Sequence, residues 1–474
     1  MRPVFQFLNK DEIEEIYLNA LNLLEDFGIY FEKRETLNLF KDAGCKINIE
    51  KKILYIPRSL VEESLKSVPS ELVLYNRERK KVISLGNNTI FNPGSAAINI
   101  LDGKTLEIRK PVTNDFIDFI KLTDALEYIE AQSTALVVSD VPESIVDRYR
   151  LYLILKNSIK PVITGAFTIE GIHVMKKMLD VVSDGKIAEK PMAIFDCCPS
   201  PPLKWSELTS QNLIDCAKYK LPIELVSMPL AGATAPVTLA GVLVTHTAEN
   251  LSGIVLSQIV NKGAPVIWGG SPTCMDMRYG TTPMGAIEAT MIDCSYAQIG
   301  KYLNLPTHAY LGLSDSKLND YQAGFESGIG IILGAIMGIN IISGPGMLDF
   351  ESCQSMDKLI LDNEICGMAK KLSKGILVNL ETIAYDLFKE IGHHETYLMA
   401  DHTLKWHKQE LYVPSSIIDR QNRISWENQG KTSILTRTQQ EISRILKEHE
   451  PLYLDSDKEK ELDKIIDLSK TSSF

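Results

Sequence analysis

The sequence predicts an α/β fold: a (β/α)8 TIM barrel with an N-terminal α+β cap and a C-terminal helical extension. Three observations carry that reading. Short apolar, β-branched runs recur from residue 89 onward, and counting gives eight. Most are followed by a polar or glycine-containing turn and then by a stretch with helical periodicity. Polar side chains gather just past the ends of the runs, where a parallel α/β protein places its site.

Composition permits this. The chain has 474 residues, 45% apolar and 23% charged, enough for a sizeable core in one to three domains. Three parts are expected: a flank over 1–88, the barrel with its closing helices over 89–392, and a helical extension over 393–474. A net charge of −11 argues against a nucleic-acid partner, which would need a basic stripe. The eight cysteines include no CxxC pair, so neither a zinc ribbon nor a disulfide framework is signalled. The first twelve residues lack a signal-peptide core, and the apolar run 328–342 is too short to span a membrane. A soluble, cytoplasmic protein with no membrane partner is expected; a homo-oligomer stays open.

In the flank, 11–27 places Ile13, Ile16, Tyr17, Ala20, Leu21, Leu23 and Leu24 on one helical face, with Gly28 as the stop. Further helices are expected at 35–43 and 58–68, and short strands at 53–56, 72–75 and 82–85. The eight barrel runs are 89–92, 133–139, 161–167, 192–197, 223–228, 265–268, 307–311 and 339–343. Between them, helices are expected at 114–125, 144–157, 171–184, 205–219, 237–260, 283–303 and 320–337. Pro236 and Pro283 act as start signals at first helical positions. An open doubly wound sheet is the topological alternative. After residue 350, helices are expected at 356–374, 376–391, 393–411, 437–448 and 458–469, with an ordered linker over 411–426.

The chemistry should lie at the run ends. Asn92, Gly94, Gly269, Gly344 and Gly346 stand there, and glycine lets backbone approach a ligand or cofactor closely. The loop after the seventh run is denser: Asp315, Lys317, Asp320, Gln322 and Glu326, interleaved with Tyr321 and Phe325. Acidic residues also suit a helix N-terminus, which is the competing explanation. Set beside Trp268, Tyr279, Tyr310 and Phe350, the carboxylates and aromatic faces suit a cage for an organic cation.

Other motifs are weaker. No GxSxG elbow or Ser-His-Asp order is present. Gly328, Gly330 and Gly334 miss the dinucleotide spacing and read as helix packing. Asp196, Cys197 and Cys198 alternate across a strand with no histidine nearby, so no metal site is expected. His246 reads as packing and His308 as a core histidine.

Four segments together resemble the trimethylamine methyltransferase family of corrinoid-protein methyltransferases. They are Phe91-Asn92-Pro93-Gly94-Ser95, the stretch from Pro229 to Thr238, the stretch from Ser314 to Ala323, and Ser343-Gly344-Pro345-Gly346-Met347-Leu348; Asp419-Arg420 with Trp426 also fits. The resemblance implies a (β/α)8 barrel that moves a methyl group from a methylated amine to Co(I) of a separate corrinoid protein. The family's founding members place pyrrolysine in the barrel cavity. This chain shows none, so it is similar to the non-pyrrolysine branch, several of whose members demethylate quaternary amines (glycine betaine, proline betaine or carnitine-like compounds).

A quaternary ammonium carries its charge permanently and leaves as a neutral amine, so the enzyme needs positioning and electrostatics rather than an acid or a metal. The Asp-x-His-x-x-Gly cobalt-ligand motif is missing, so the corrinoid (cobalamin) is expected on a carrier partner and not bound tightly here. On this reading Asp315, Asp320 and Glu326 supply negative charge. Trp268, Tyr279, Tyr310, Phe325 and Phe350 contribute to the cage, and Lys317 or Gln322 holds a substrate carboxylate or the loop. The alternatives are a trimethylamine-type enzyme, a barrel hydrolase or lyase using Asp196 and Asp315 as acid and base, and a non-catalytic quaternary-amine binder.

Overall fold

Eight short parallel strands close into a ring in the computed structural model, which describes residues 3, 5–86, 88–393 and 395–471. They are β1 (Ile90–Asn92), β2 (Gln132–Ser133), β3 (Val162–Thr164), β4 (Ala193–Cys197), β5 (Ile223–Ser227), β6 (Val266–Gly270), β7 (His308–Tyr310) and β8 (Ile341–Ser343). One ladder runs β2-β3-β4-β5-β6 and another β7-β8-β1, all parallel. Two junctions complete the circle. Trp268 bridges Thr307, with its N–H donating to Pro306 O at 2.8 Å, and Glu130 N–H donates to Phe91 O at 2.9 Å. The ring is the expected barrel, and the open doubly wound sheet is not formed.

The helices follow in alternation: α1 (Thr113–Ala125), α2 (Val146–Asn157), α3 (Gly171–Ser183), α4 (Glu207–Tyr219), α5 (Leu239–Val260), α6 (Ile287–Tyr302), α7 (Tyr321–Met337) and α8 (Met356–Lys374). α5 is covered on all sides, by α4, α6 and the flank helices Lys10–Asn22 and Arg58–Ser67, and buries polar side chains such as His246, Glu249 and Asn250 along with its apolar ones. It is the one helix among the described residues long and apolar enough to cross a membrane, and 78% of its most apolar window is buried in the protein. α7 lies on β7 and β8 through glycine. A Cβ at Gly330 would stand 2.0 Å from Leu311 O, and one at Gly334 2.8 Å from Ile342 and Leu311 side chains. Gly330 and Gly334 are therefore packing, as read from the spacing, whereas a Cβ at Gly328 would meet nothing within 4 Å.

Inside the ring, Ile90, Ile163, Ile194, Ile267 and Ile341 form one apolar layer with Ala131, joined from below by Leu72, Leu74, Ile83 and Leu85. Those four come from the hairpin Val73–Tyr75 and Lys81–Ser84 and its edges. Tyr75 N–H donates to Pro191 O and Arg77 N–H to Ile159 O, both at 2.9 Å, just ahead of β4 and β3. The hairpin thus plugs the N-terminal end of the barrel, and the interior opens at the C-terminal end.

Some expectations shift. β2 keeps two residues rather than the run 133–139, because the chain then leaves the ladder and runs along the loop after β1, where Ala96 N–H donates to Thr134 O at 3.1 Å, Ala97 N–H to Ala135 O at 2.9 Å and Val137 N–H to Ala97 O at 2.8 Å. α6 begins at Ile287, not Pro283, since the 281–286 segment is held as a loop by a carboxylate described below. The helix expected at 376–391 breaks into Leu380–Ile383 and Tyr385–Ile391 at Ala384, whose φ is 54°. For 393–411 the structure has a 3-10 turn, Tyr397–Met399, and a helix, Asp401–Glu410; residue 394 lies outside the described residues. Helices Ile434–Glu448 and Ser456–Thr471 pack back on α1 and α8, and on α2 and α3.

Candidate active site

Side chains two residues beyond the inner isoleucines also face inward, because strand side chains alternate. In this second layer they are polar: Asn92 on β1, Asp196 on β4 and Ser343 on β8, together with Glu224 on β5 and His308 on β7. They form a belt across the barrel. The Ser343 hydroxyl donates to Asn92 Oδ1 at 2.8 Å, and the Asn92 amide donates to Pro93 O at 2.9 Å. His308 Nε2, 2.7 Å from the Ser343 oxygen, must then be the donor, which leaves Nδ1 as an acceptor against the Glu224 carboxyl. Burial raises Glu224 well above the usual carboxylate range and lowers His308 to about 4. The pair is therefore a neutral acid on a neutral imidazole. Asp196 lies against Glu224, and burial first, then Glu224, raises it well above its ordinary value.

Above the belt is a cavity of about 360 Å³ at the barrel mouth. Its wall has two unlike sides. On the β2–β3 side stand Thr134, Gly165, Phe167 and Arg150, the last reaching in from α2. On the opposite, β6–β8 side stand Ser271, Tyr310 and Glu351. Asp196 lies between them, with Oδ1 unpartnered among the described residues. Glu351 is enclosed apart from the cavity, and burial pushes it up to about 7.

A second, wider groove of about 930 Å³ opens beside the first, between the loops after β5, β6 and β7. Tyr279, Asp315, Lys317, Asp320, Gln322, Glu326 and Phe350 line it. The expected grouping after β7 is thus real, but its carboxylates are committed to backbone. Asp320 caps α7 by accepting Ala323 N–H at 3.1 Å and the Ser316 hydroxyl at 2.9 Å. Glu326 accepts the Ser314 hydroxyl at 2.5 Å, Asp315 N–H at 2.9 Å and the Gln322 amide at 2.9 Å. Asp315 accepts N–H groups of Met284 and Gly285, which holds the 281–286 loop, and burial pushes it up to about 6. Lys317 donates to Asp315 O at 2.7 Å and sits 3.7 Å over the Phe350 ring, so it braces the loop.

Between groove and cavity runs a left-handed turn. Asp349, Phe350 and Glu351 have φ of 51°, 56° and 66° in succession. Non-glycine residues pay about 1–3 kcal/mol each for such backbone. The result is that Phe350 faces the groove and Glu351 the cavity.

Other expected positions are corrected. Trp268 faces outward from β6: it is fully buried, donates Nε1–H to Tyr296 O at 3.0 Å and packs on Gly300 of α6. It does not join a cage. Phe325 is 56% exposed on the outer side of α7. Tyr310 does line the cavity, edge-on to His308 at 4.8 Å. Asn92, Gly94, Gly269, Gly344 and Gly346 are all buried and cannot meet a partner's cofactor. A Cβ at Gly94 would fall 1.7 Å from Met347 Sδ, and one at Gly269 2.9 Å from Glu224 Oε1. Close packing explains these glycines. His246, stacked on Tyr296 at 4.2 Å, is packing as read. Phe167 stands at the end of its run, but Arg150 lies mid-helix and Glu351 in a loop, and neither carries a sequence signal.

A family model described as trimethylamine methyltransferase (MTTB) matches residues 1–473. The chain is 34% identical to "Trimethylamine methyltransferase MttB" of Desulfitobacterium hafniense (strain DSM 10664 / DCB-2), over 93% of this chain and 89% of that protein. It is 32% identical to the protein of the same name from Methanosarcina barkeri, over 96% and 94%. It is also 32% identical to "Glycine betaine methyltransferase" of Desulfitobacterium hafniense (strain Y51), over 96% and 95%. A crystal structure of a hydroxylamine complex of MtmB superposes with a TM-score of 0.51 at 12% identity, covering 96% of this chain and 94% of that one, a likeness of fold alone. By the family model and these relatives, the chain belongs to the trimethylamine methyltransferase family.

Proposed function

We propose that the protein transfers a methyl group from a quaternary amine, bound in the barrel-mouth cavity, to Co(I) of a corrinoid carried by a separate protein. The observation that carries this reading is the pairing of two buried carboxyl groups, Asp196 and Glu351, with the aromatic rings of Phe167 and Tyr310 around one cavity. Burial raises both carboxyls, Glu351 to about 7, so a permanent cation entering the cavity favours their ionised form before any transfer, and ring faces hold such a cation without a hydrogen bond. The bookkeeping is simple. The cobalt electron pair forms the new bond to the methyl carbon, the C–N pair stays on nitrogen, and a neutral tertiary amine leaves. No proton moves, so neither acid nor base is required of this chain. Its own task is to fix the cation with one methyl toward the opening and to keep water out.

The corrinoid is a co-substrate on this reading, and the mouth suits it. The rim exposes Phe167, Met228, Met277, Tyr279 and Leu318 from four different loops, an apolar edge for a macrocycle and its carrier. Asp315 adds negative charge in the adjoining groove. Asp320, Glu326 and Gln322 hold the loop that carries it, and Tyr279 and Phe350 form the groove's aromatic wall. Eight cysteines, none in a disulfide, suit a reducing cytoplasm.

The test mixes the protein with photoreduced or chemically reduced cobalamin, or a carrier corrinoid protein, and a panel of quaternary amines. Conversion of the Co(I) absorbance to that of methyl-Co(III) is the expected result. Turnover with trimethylamine but with no quaternary amine would sink the proposal in favour of the trimethylamine-type reading.

A further inference from the structure

One stretch of the chain is unlike the rest in what it leaves uncovered. From Lys371 to Ser416 no described residue is buried, although the stretch is rich in apolar side chains and forms helices Leu380–Ile383, Tyr385–Ile391 and Asp401–Glu410. Ile376, Val378, Leu380, Leu398, Met399 and Leu404 stand 72–90% exposed. Yet the segment holds itself together. Asn379 and Thr382 cap each other reciprocally, His402 Nε2 lies 3.0 Å from Glu381 O, and Lys405 pairs with the Glu381 carboxylate. Phe388 meets Tyr397 edge-on at 5.8 Å. The two ends meet as well: the Lys371 ammonium donates to Gln409 O at 2.9 Å, and the Tyr412 hydroxyl donates to the Glu364 carboxylate at 3.2 Å. This is an arm rooted on α8, folded on itself, with its apolar side chains left in water.

The position of the root narrows what covers it. α8 runs back from the mouth, and Lys370 near its end reaches Thr89 O and the Glu130 carboxylate, just ahead of β1 and β2. The arm therefore leaves at the plugged end of the barrel, opposite the cavity where a corrinoid would arrive. Charge narrows it further. Residues 376–411 carry six carboxylates against three lysines on a chain of net charge −11, so an anionic bilayer or a nucleic acid would be repelled. Thirteen large apolar side chains between Ile376 and Val413 are exposed. At on the order of 100 Å² each they offer about 1,000 Å² per chain, more than a monomer usually shows in one patch and enough for one side of a stable interface. A second copy supplies the same surface, and an isologous contact covers both arms without needing a complementary patch elsewhere. We propose that residues 376–413 are a dimerisation arm. The arms of two chains pack on each other across a two-fold axis, at the end of each barrel away from its mouth.

The test reads the mass of the full chain in solution. Sedimentation equilibrium at about 10 µM should give twice the chain mass or an even multiple of it. Leu380→Glu with Leu404→Glu puts four charges into each two-fold contact and should weaken association at least about a thousandfold, which halves the mass at that concentration. Both side chains are exposed in the single chain, so the substitutions disturb no core group. Leu398→Lys with Met399→Lys makes the same test with the opposite sign of charge, and carries it if the first variant does not fold. A wild-type chain that stays monomeric, or forms only odd-numbered oligomers, up to about 100 µM would overturn the assignment. So would an oligomer whose mass neither pair of substitutions lowers. A monomer that floats with phosphatidylcholine vesicles would overturn it in favour of a lipid surface. The assignment is independent of the reaction proposed above, because the arm and the cavity lie at opposite ends of the barrel.

Discussion

Replacing Glu351 by Gln separates what this carboxyl costs the empty protein from what it gives the loaded one. Burial holds Glu351 at about 7 against an ordinary value of 4.5. Ionising it in the empty cavity therefore costs about 3 kcal/mol. The sign follows from proton counting. Between 4.5 and about 7 the folded protein keeps a proton that the unfolded chain has released, so stability falls as pH rises through that window and levels off above it. Gln keeps the shape and the hydrogen-bonding to Ser271 but cannot ionise. At pH 5 the variant and wild type should melt within a small margin of each other. At pH 8 the variant should be the more stable, by up to about 3 kcal/mol.

The ligand reverses the ranking. At pH 8 an ionised Glu351 faces the cation; at pH 5.5 about 3% of it is ionised, so cation binding to the wild type should weaken about 30-fold. Glu351→Gln should bind the cation weakly at both values, with only the residual slope that Asp196 supplies. Urea or thermal melts at pH 5 and 8, with titrations of trimethylammonioacetate at pH 5.5 and 8, check both halves. A stability difference between the two proteins that is the same at pH 5 and pH 8 would refute the reasoning, because a merely structural role has no reason to titrate.

Three further outcomes are expected. Gly330→Ala should lower stability by about 1–3 kcal/mol in a melt, since the new methyl meets backbone rather than a side chain that could turn away. Lys358→Met should cost about 3–5 kcal/mol, because it strands the buried Asp362 carboxylate, whose lysine partner lies 2.5 Å away. Trp268→Phe should cost roughly 1–3 kcal/mol through the lost bond to Tyr296 O while leaving cation affinity within about twofold, as titration would show.

The architecture was readable because its signals are local and repeated. Runs of β-branched residues recur eight times with helix-length spacings between them and glycine at several of their ends, so errors at single boundaries do not accumulate into a different fold. The candidate site was less readable. Asp315, Asp320 and Glu326 were found as a group, since they crowd one loop. Their partners, the N–H groups of Met284, Gly285 and Ala323, are invisible to composition, so caps and loop ties looked like free charge. Trp268 was misplaced by one position of strand alternation: its neighbours Ile267 and Gly269 face the barrel and it does not. Arg150 sits in a helix beside Arg148 and Asp147 and has the look of a solvated face. Only the tertiary fold buries it at the mouth.

The loop ties nevertheless matter for chemistry, through the turn that carries Glu351. Three left-handed non-glycine residues in a row persist only where neighbours over-determine them. Here Asp349 N–H donates to Ser316 O at 2.9 Å, the Ser352 hydroxyl donates to Asp349 at 2.9 Å, and the Lys317 ammonium covers the Phe350 ring. Two of those three contacts come from the loop that Asp315, Asp320 and Glu326 hold. The stretch from Ser314 to Ala323 therefore acts on the cavity from outside it: it fixes the turn, and the turn aims one carboxyl inward and one aromatic ring away. On the proposed reading, that fixed aim is what a reaction without acid, base or metal requires of a protein, because placing one charge correctly before the cation arrives costs nothing at the moment of transfer.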